Sequence, residues 1–320
     1  MLGRTKKSPK VLGIHVGHNA LTMANVLLKD DVVEVLELFR HSFSREPGGW
    51  PAEEVSVLLR KARKKINLKS EVTRLTVSSD LAPSNYFIMP PLDESQLDNA
   101  VRLKLENKLG DSAGEICHQA VISERHGERC RVFACSISAQ KQRLILDSFM
   151  DSNCPVDAME VEGVSVTNLM VRAGLDQTYP VAVMQIAPEW SEMYIVARKK
   201  LTLSRPILKL GTSHLTADED EEPEQTDGPS ERYLDRIVRE ANKTLDYFEI
   251  ELLSPAVRRL FLLGESADRS ELTDFLARRL ELEVNVLDTN DAIEDHTGKF
   301  EPTVHGLAVA AAAGGLTYAD

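Results

Sequence analysis

Val11-Leu12-Gly13-Ile14-His15-Val16-Gly17 and Val181-Ala182-Val183-Met184-Gln185-Ile186-Ala187 open two copies of one pattern. Each is a short run rich in β-branched and apolar residues, the signature of a strand buried on both faces. After the first run come a turn at His18 and Asn19, a strand over Leu21–Leu28, a Lys29-Asp30-Asp31 turn and a strand over Val32–Phe39. After the second run come strands over Ser191–Arg198 and Leu201–Leu208, with a turn at Lys199-Lys200. The copies align without gaps, with Gly17 on Ala187, Met23 on Met193, Val26 on Val196 and Lys29 on Lys199. The chain is therefore a duplicated α/β protein, each half entered through a three-stranded antiparallel meander.

Two such meanders in one chain resemble the actin and sugar-kinase superfamily. That resemblance implies a two-lobed, ribonuclease H-like duplicated α/β fold around a nucleotide cleft. The chain of 320 residues is long enough for two cores, and its 42% apolar content is ordinary for a globular protein. No stretch approaches the run of ~18 apolar residues that marks a membrane-spanning helix. The basic start, Met1 to Lys7, lacks the apolar core of a signal peptide, so a cytoplasmic location is expected. Cys117, Cys130, Cys135 and Cys154 have no C-x-x-C spacing and suit a reducing compartment. A zinc site from Cys117, His118, Cys130 and Cys135 is the alternative to idle thiols, and no metal is expected. A net charge of −12 argues against nucleic acid. Much of that charge sits in Asp218–Glu224, within a polar loop over 212–230 that reads as solvated.

Further along, a helix is predicted over Pro51–Ile66, with Val55, Leu58, Leu59, Ala62 and Ile66 as its apolar stripe. Its other face, Arg60, Lys61, Arg63, Lys64 and Lys65, reads as the solvated back of a helix packed on a sheet. Contact with anionic lipid is the other reading. A strand is expected over Val72–Ser78. Asp93 followed by Gln96 is a helix-start pattern, and Leu97, Val101 and Leu105 continue that helix to about Leu109. Strands over Ile116–Ser123 and Arg131–Ile137, a helix from Ser138 to Ser152 and a strand over Val156–Val161 come next. This block reads as a small α+β subdomain, 90–156, inserted in the first lobe. The first lobe takes 9–89, 157–178 and a closing helix in 304–320; the second takes 179–303. Within the second, Glu231–Leu252 is expected to be one long helix with a continuous apolar face.

The order of segments resembles PilM, the actin-like cytoplasmic family of type IV pilus assembly, itself similar to FtsA. Phe87-Ile88-Met89-Pro90, Met159-Glu160-Val161-Glu162, Ser204-Arg205-Pro206-Ile207 with Leu210-Gly211, Ile237–Phe248 and Gly306-Leu307-Ala308 carry it, over nearly the whole chain. The resemblance implies a PilN-type inner-membrane partner whose N-terminal peptide lies extended in an apolar groove near Met89, Leu97, Val101 and Phe133; taken one by one, these residues read rather as the core of the subdomain. The cytoplasmic motor ATPase is a further implied partner. The cytoplasmic half of GspL, a relative in type II secretion, is fused to a membrane span, which this chain does not show.

A nucleotide cleft of this type needs three pieces. Each of two hairpin tips presents Asp-x-Gly and a hydroxyl to phosphate and hydrated magnesium, and a late Gly-Gly turn lets the backbone approach adenosine. Here the first tip offers His15, Gly17, His18 and Asn19. The second offers Gln185 and Ala187, with Pro188 removing a donor. The third is Gly264-Glu265-Ser266, where Glu265 would repel a polyanion. Both carboxylates are lost, and neither replacement is a good magnesium ligand. The expectation is a vestigial cleft, no catalytic residue, no cofactor and no ATPase activity, in a scaffold protein. The alternative is an ATP- and magnesium-binding switch with unusual ligands. His15 and His18 on one hairpin could also take a metal or phosphate, and Glu160 or Glu162 could orient a water. A self-tethering filament of the FtsA kind is the weakest expectation, because Gly314–Asp320 cannot form an amphipathic helix.

Overall fold

The computed structural model describes residues 8–29, 32–43, 45–46, 48–109, 115–175, 179–187, 190–209, 231–252, 254–289 and 292–314. The acidic loop 212–230 lies outside them. They form two compact units. The first holds the described residues up to Gly174, then Thr289–Glu301 and those from His305 onward; the second holds those of Leu175–Asp288 with Pro302–Val304.

In the first unit, β1 (Lys10–Val16), β2 (Ala20–Lys29) and β3 (Val32–Ser42) form the meander. Helix α1 (Ala52–Ala62) crosses over to β4 (Val72–Val77), which pairs parallel with β1. After the inserted subdomain the chain returns as β8 (Ala158–Val161) and α4 (Glu162–Arg172). In the second unit, β9 (Val181–Ile186), β10 (Trp190–Ala197) and β11 (Lys200–Lys209) repeat the meander. There α5 (Glu231–Asp246) leads to β12 (Arg259–Leu263), and α6 (Ser270–Leu280) leads to β13 (Glu283–Val286). The strand orders are β3-β2-β1-β4-β8 and β11-β10-β9-β12-β13, one topology used twice. The inserted subdomain stands between β4 and β8, where the second unit has α6.

The register agrees with the duplication read from the sequence. Ile14 lies opposite Met23, and its aligned counterpart Met184 lies opposite Met193. The pairing slips at Asn25/Val26 on β2 and at the aligned Ile195/Val196 on β10, so each copy bulges at the same point. Beyond it the copies part. The second turn is Arg198-Lys199, not Lys199-Lys200. Both residues have positive φ, 51° and 62°, the geometry a two-residue hairpin turn needs to follow strand twist. Ala197 therefore pairs with Lys200, whereas Lys29 pairs with Val32, and the gapless alignment ends before the turn.

In the subdomain, β5 (Ser84–Met89), β7 (Arg129–Ser138) and β6 (Ile116–His126) form a sheet in that order, with α2 (Glu94–Leu109) and α3 (Ala139–Asp151). At the start of α2 the Asp93 N–H donates to Gln96 Oε1 at 3.2 Å, as the cap pattern implied. The structural subdomain begins at Ser84, since β5 pairs with β7 rather than with the meander. This places 84–89 outside the first-lobe sheet. A second boundary also moves. β14 (Ile293–Asp295) pairs parallel with β3, so 289–301 belongs to the first unit, not to the second lobe. Residues from Leu175 to the start of β9 go with the second unit instead of the first. The long helix expected to run to Leu252 keeps its α-helical spacing only to Asp246 and turns into a π-helical segment over Tyr247–Glu251.

Helix α7 (Pro302–Ala313) closes the chain, and its residues from Leu307 to Ala313 are buried. Its small side chains let it lie directly on β1. A Cβ at Gly13 would sit 1.9 Å from the Ala308 carbonyl oxygen and 2.7 Å from the Ala312 nitrogen, so only glycine permits that approach.

Candidate functional site

The first hairpin tip is built by the end of β1 and the start of β2. The Gly17 N–H donates to the Ala20 carbonyl at 3.0 Å, which closes the turn. Beside it, the loop after β3 delivers Arg45 and the loop after β4 delivers Asp80. The Arg45 side chain is 1% exposed and that of Asp80 5%. The guanidinium donates to both Asp80 oxygens, at 2.6 and 2.9 Å, to Ser78 Oγ at 2.5 Å, to the Gly17 carbonyl at 3.2 Å and to the Gly49 carbonyl at 3.3 Å. Asp80 also accepts from the Gly48 N–H and the Ser78 hydroxyl, each at 2.6 Å. Burial alone would raise the Asp80 pKa. The Arg45 bonds, the charge of Arg45 and the Ser78 bond outweigh it and hold the carboxyl well below the usual carboxylate range. The cation at this tip is thus already matched, charge for charge, by an internal anion.

The histidines of the tip are committed too. His15 Nε2 lies 2.6 Å from Glu162 Oε1, and Glu162 is fully buried in the first turn of α4, where the helix dipole favours a carboxylate. His18 Nε2 lies 3.4 Å from Asp80 Oδ1, and burial lowers its pKa to about 4, so it is neutral at pH 7. The two imidazoles have separate acidic partners and do not converge on one metal position. Asn19 contributes its carbonyl, which accepts the Phe43 N–H at 2.8 Å. Nearby, Glu160 accepts from Thr76 at 3.2 Å and from Ser165, and burial raises its pKa to about 7.

In the second unit, the Ala187 N–H closes the matching turn onto the Trp190 carbonyl at 3.1 Å; Pro188 lies outside the described residues. The Ala187 carbonyl accepts the Tyr233 hydroxyl at 2.9 Å, and Gln185 Oε1 accepts the Tyr194 hydroxyl at 3.4 Å. At the late turn Gly264 has φ +102°, and a Cβ there would meet the Ile186 oxygen at 2.5 Å. The glycine brings the end of β12 onto β9. Glu265 is exposed and Ser266 half-buried in the turn that follows. The expected cleft residues therefore divide, with His15, Gly17, His18 and Asn19 in the first unit and Gln185, Ala187, Gly264, Glu265 and Ser266 in the second.

The expected groove residues fall differently. Met89, Leu97 and Val101 are buried with Leu105, Cys130, Val132 and Ala134 in the core beneath α2, out of reach of a peptide. Phe133 points to the other face of the sheet, where its ring centroid lies 5.4 Å from that of Tyr86. Ile88 is on that same face and is 50% exposed. The zinc alternative fails on register. Cys117 pairs with Ile137, while Cys130 pairs with Met89 toward the opposite end of β7, roughly 24 Å away at ~3.4 Å per residue. Among the described residues the one metal-like cluster is Glu34, Glu294 and His296, and the Lys29 ammonium already binds Glu34.

Sequence reasoning missed Arg45 and Asp80. Neither lies in a periodic element, and only the Gly48-Gly49 pair hinted that the intervening loop folds back tightly.

No family model matches the sequence, and no curated protein matches it. Among solved structures, the PilM–PilN type IV pilus biogenesis complex is similar, with a TM-score of 0.71 and 16% identity over 95% of this chain and 97% of that chain. A Bacteroides thetaiotaomicron protein with an actin-like ATPase fold gives 0.49 at 11% identity, covering 96% and 98% of the two chains. The cytoplasmic domain of EpsL, an inner membrane component of the type II secretion system of Vibrio cholerae, gives 0.46 at 11% identity, covering 94% and 92%. The first likeness establishes the fold, which is actin-like and duplicated. No helix among the described residues is long and apolar enough to cross a membrane.

Proposed function

We propose that this protein is a non-catalytic, cytoplasmic actin-like scaffold of a type IV pilus or related secretion machine, at the inner face of the membrane. In this reading it holds the N-terminal cytoplasmic peptide of a PilN-type inner-membrane protein, and neither ATP nor magnesium takes part. The observation that carries the non-catalytic half is the Arg45–Asp80 pair. It fills the charge requirement of the first phosphate turn from within the protein. A magnesium–phosphate group brought to that tip would have to compete with a buried, bidentate ion pair, and the carboxylates there, Asp80 and Glu162, are already engaged by Arg45 and His15. The partner half is supported by the fold shared with the protein of the PilM–PilN complex.

The peptide site moves from the core residues to the opposite face of the subdomain sheet. Strand β5 is one of the two end strands of that sheet among the described residues, and an extended peptide could pair with its outer edge. Ile88, 50% exposed, and the half-buried Tyr86 would then meet the peptide's side chains, with Phe133 buried beneath Tyr86. Synthetic peptides from the cytoplasmic N-terminus of the PilN-type protein of the same organism test this by titration. Ile88→Asp is expected to weaken binding about tenfold or more, as for a central apolar anchor, while leaving the fold intact. Val101→Asp is expected to unfold the subdomain, because it buries a charge in the core. Wild-type affinity in a folded Ile88→Asp protein would remove the site from this face.

A further inference from the structure

The exposed face of α1 is used by neither the scaffold nor the hairpin tips. Its apolar stripe, Val55, Leu58, Leu59 and Ala62, is buried in the first unit. Opposite it stand Arg60, Lys61, Arg63, Lys64 and Lys65, all exposed. Val57, Arg60, Lys61, Arg63 and Lys64 line one shallow depression. The acids of the helix, Glu53 and Glu54, are confined to its first turn.

Two ordinary explanations for this charge account for only part of it. Cations at a helix C-terminus complement the dipole, which Arg60 and Lys61 in the last turn already do. Arg63, Lys64 and Lys65 extend the charge past the helix. Local pairing absorbs two of the five side chains. Lys61 Nζ meets His41 Nε2 at 3.1 Å, and Arg63 donates to the Ser152 carbonyl. Neither contact neutralises a charge with a carboxylate. Arg60, Lys64 and Lys65 have no carboxylate partner among the described residues. In a chain of net charge −12, an uncompensated basic face of this density is a local reversal of sign.

We propose that this face is an electrostatic contact for a membrane surface of anionic phospholipids. The exposed cations of α1 and of the turn that follows it line a shallow surface rather than a narrow slot, which suits a plane of headgroups. Residues 52–65 contain no aromatic side chain, so the face lacks the stacking platform that single-stranded nucleic acid requires. With its apolar stripe already buried, α1 does not insert; it rests on headgroups through charge, with Val57, 39% exposed, as the apolar contact from the helix itself. The proposal rests on the scaffold reading only in requiring a membrane nearby.

The test is cosedimentation of the full chain with phosphatidylcholine vesicles and with phosphatidylglycerol-rich vesicles, without any partner peptide. Binding is expected only to the anionic vesicles, and it should fall as salt rises. Each removed cation should weaken it roughly fivefold, and the triple variant Arg60→Ser, Lys64→Ser, Lys65→Ser on the order of a hundredfold, at about 1 kcal/mol per charge. The triple variant should melt like the wild type, because all three side chains are exposed. Equal binding to both vesicle types, or full anionic binding by the triple variant, overturns the proposal. So does an RNA oligonucleotide bound through these three residues when vesicles are not. A protein that binds vesicles but not the partner peptide contradicts the scaffold reading alone, and the reverse result contradicts this proposal alone.

Discussion

The Arg45 guanidinium grips both oxygens of Asp80, at 2.6 and 2.9 Å, while its Nε donates to the Gly17 carbonyl at the tip of the first hairpin. A turn that would receive phosphate in an active relative of this fold is thereby tied to two loops of its own unit. The pair buries two opposite charges against the tip and so makes it a stability element.

Removing one partner leaves the other charged and buried. Asp80→Asn is expected to cost about 3–5 kcal/mol, measured by urea denaturation. Replacing both residues, Arg45→Met with Asp80→Leu, should recover much of that loss, since no unpaired charge is then left behind. A single variant as stable as the wild type would show that the pair is not rigidly held.

Acid should act on this tip in two stages. His18 titrates near 6.5 in an unfolded chain and is lowered to about 4 here by burial. Between those values the unfolded chain takes up a proton that the folded one refuses. Stability is therefore complete above pH 6.5 and declines as pH falls toward 4, by about 3 kcal/mol. Asp80, held below the carboxylate range, adds a loss of the same sign at lower pH, once carboxylates of the unfolded chain protonate. Melting temperatures across this range should show the decline, and His18→Asn should flatten its upper part.

Gly13→Ala places a methyl group against the α7 backbone, where neither partner can turn away. A loss of about 3 kcal/mol or more is expected in thermal unfolding, at or above the upper range for overpacked cores. An undiminished melting temperature would mean that α7 is not seated on β1 as described.

The duplication was legible because buried strands announce themselves. Ile14 and Met184 sit in equivalent registers, and the apolar runs around them have one plausible reading. Boundaries that depend on pairing partners were not legible. Nothing in Ser84–Met89 states that it pairs with β7, and nothing in the three-residue β14 states that it returns to β3. Met89, Leu97 and Val101 were placed in a groove through the family resemblance; spacing reveals that residues share a face, not whether another layer covers it. The replacement of the expected motif residues by His15, Gln185 and Glu265 could be read directly. The Arg45–Asp80 pair could not, because its two residues are brought together from separate loops.

The central claim is that the hairpin tips no longer serve a nucleotide. Isothermal titration of the purified protein with ATP, with and without magnesium and into the millimolar range, tests it most directly. No saturable binding is expected in either condition. Saturable, magnesium-dependent binding would contradict it, and would make the Arg45–Asp80 pair a latch that ATP opens.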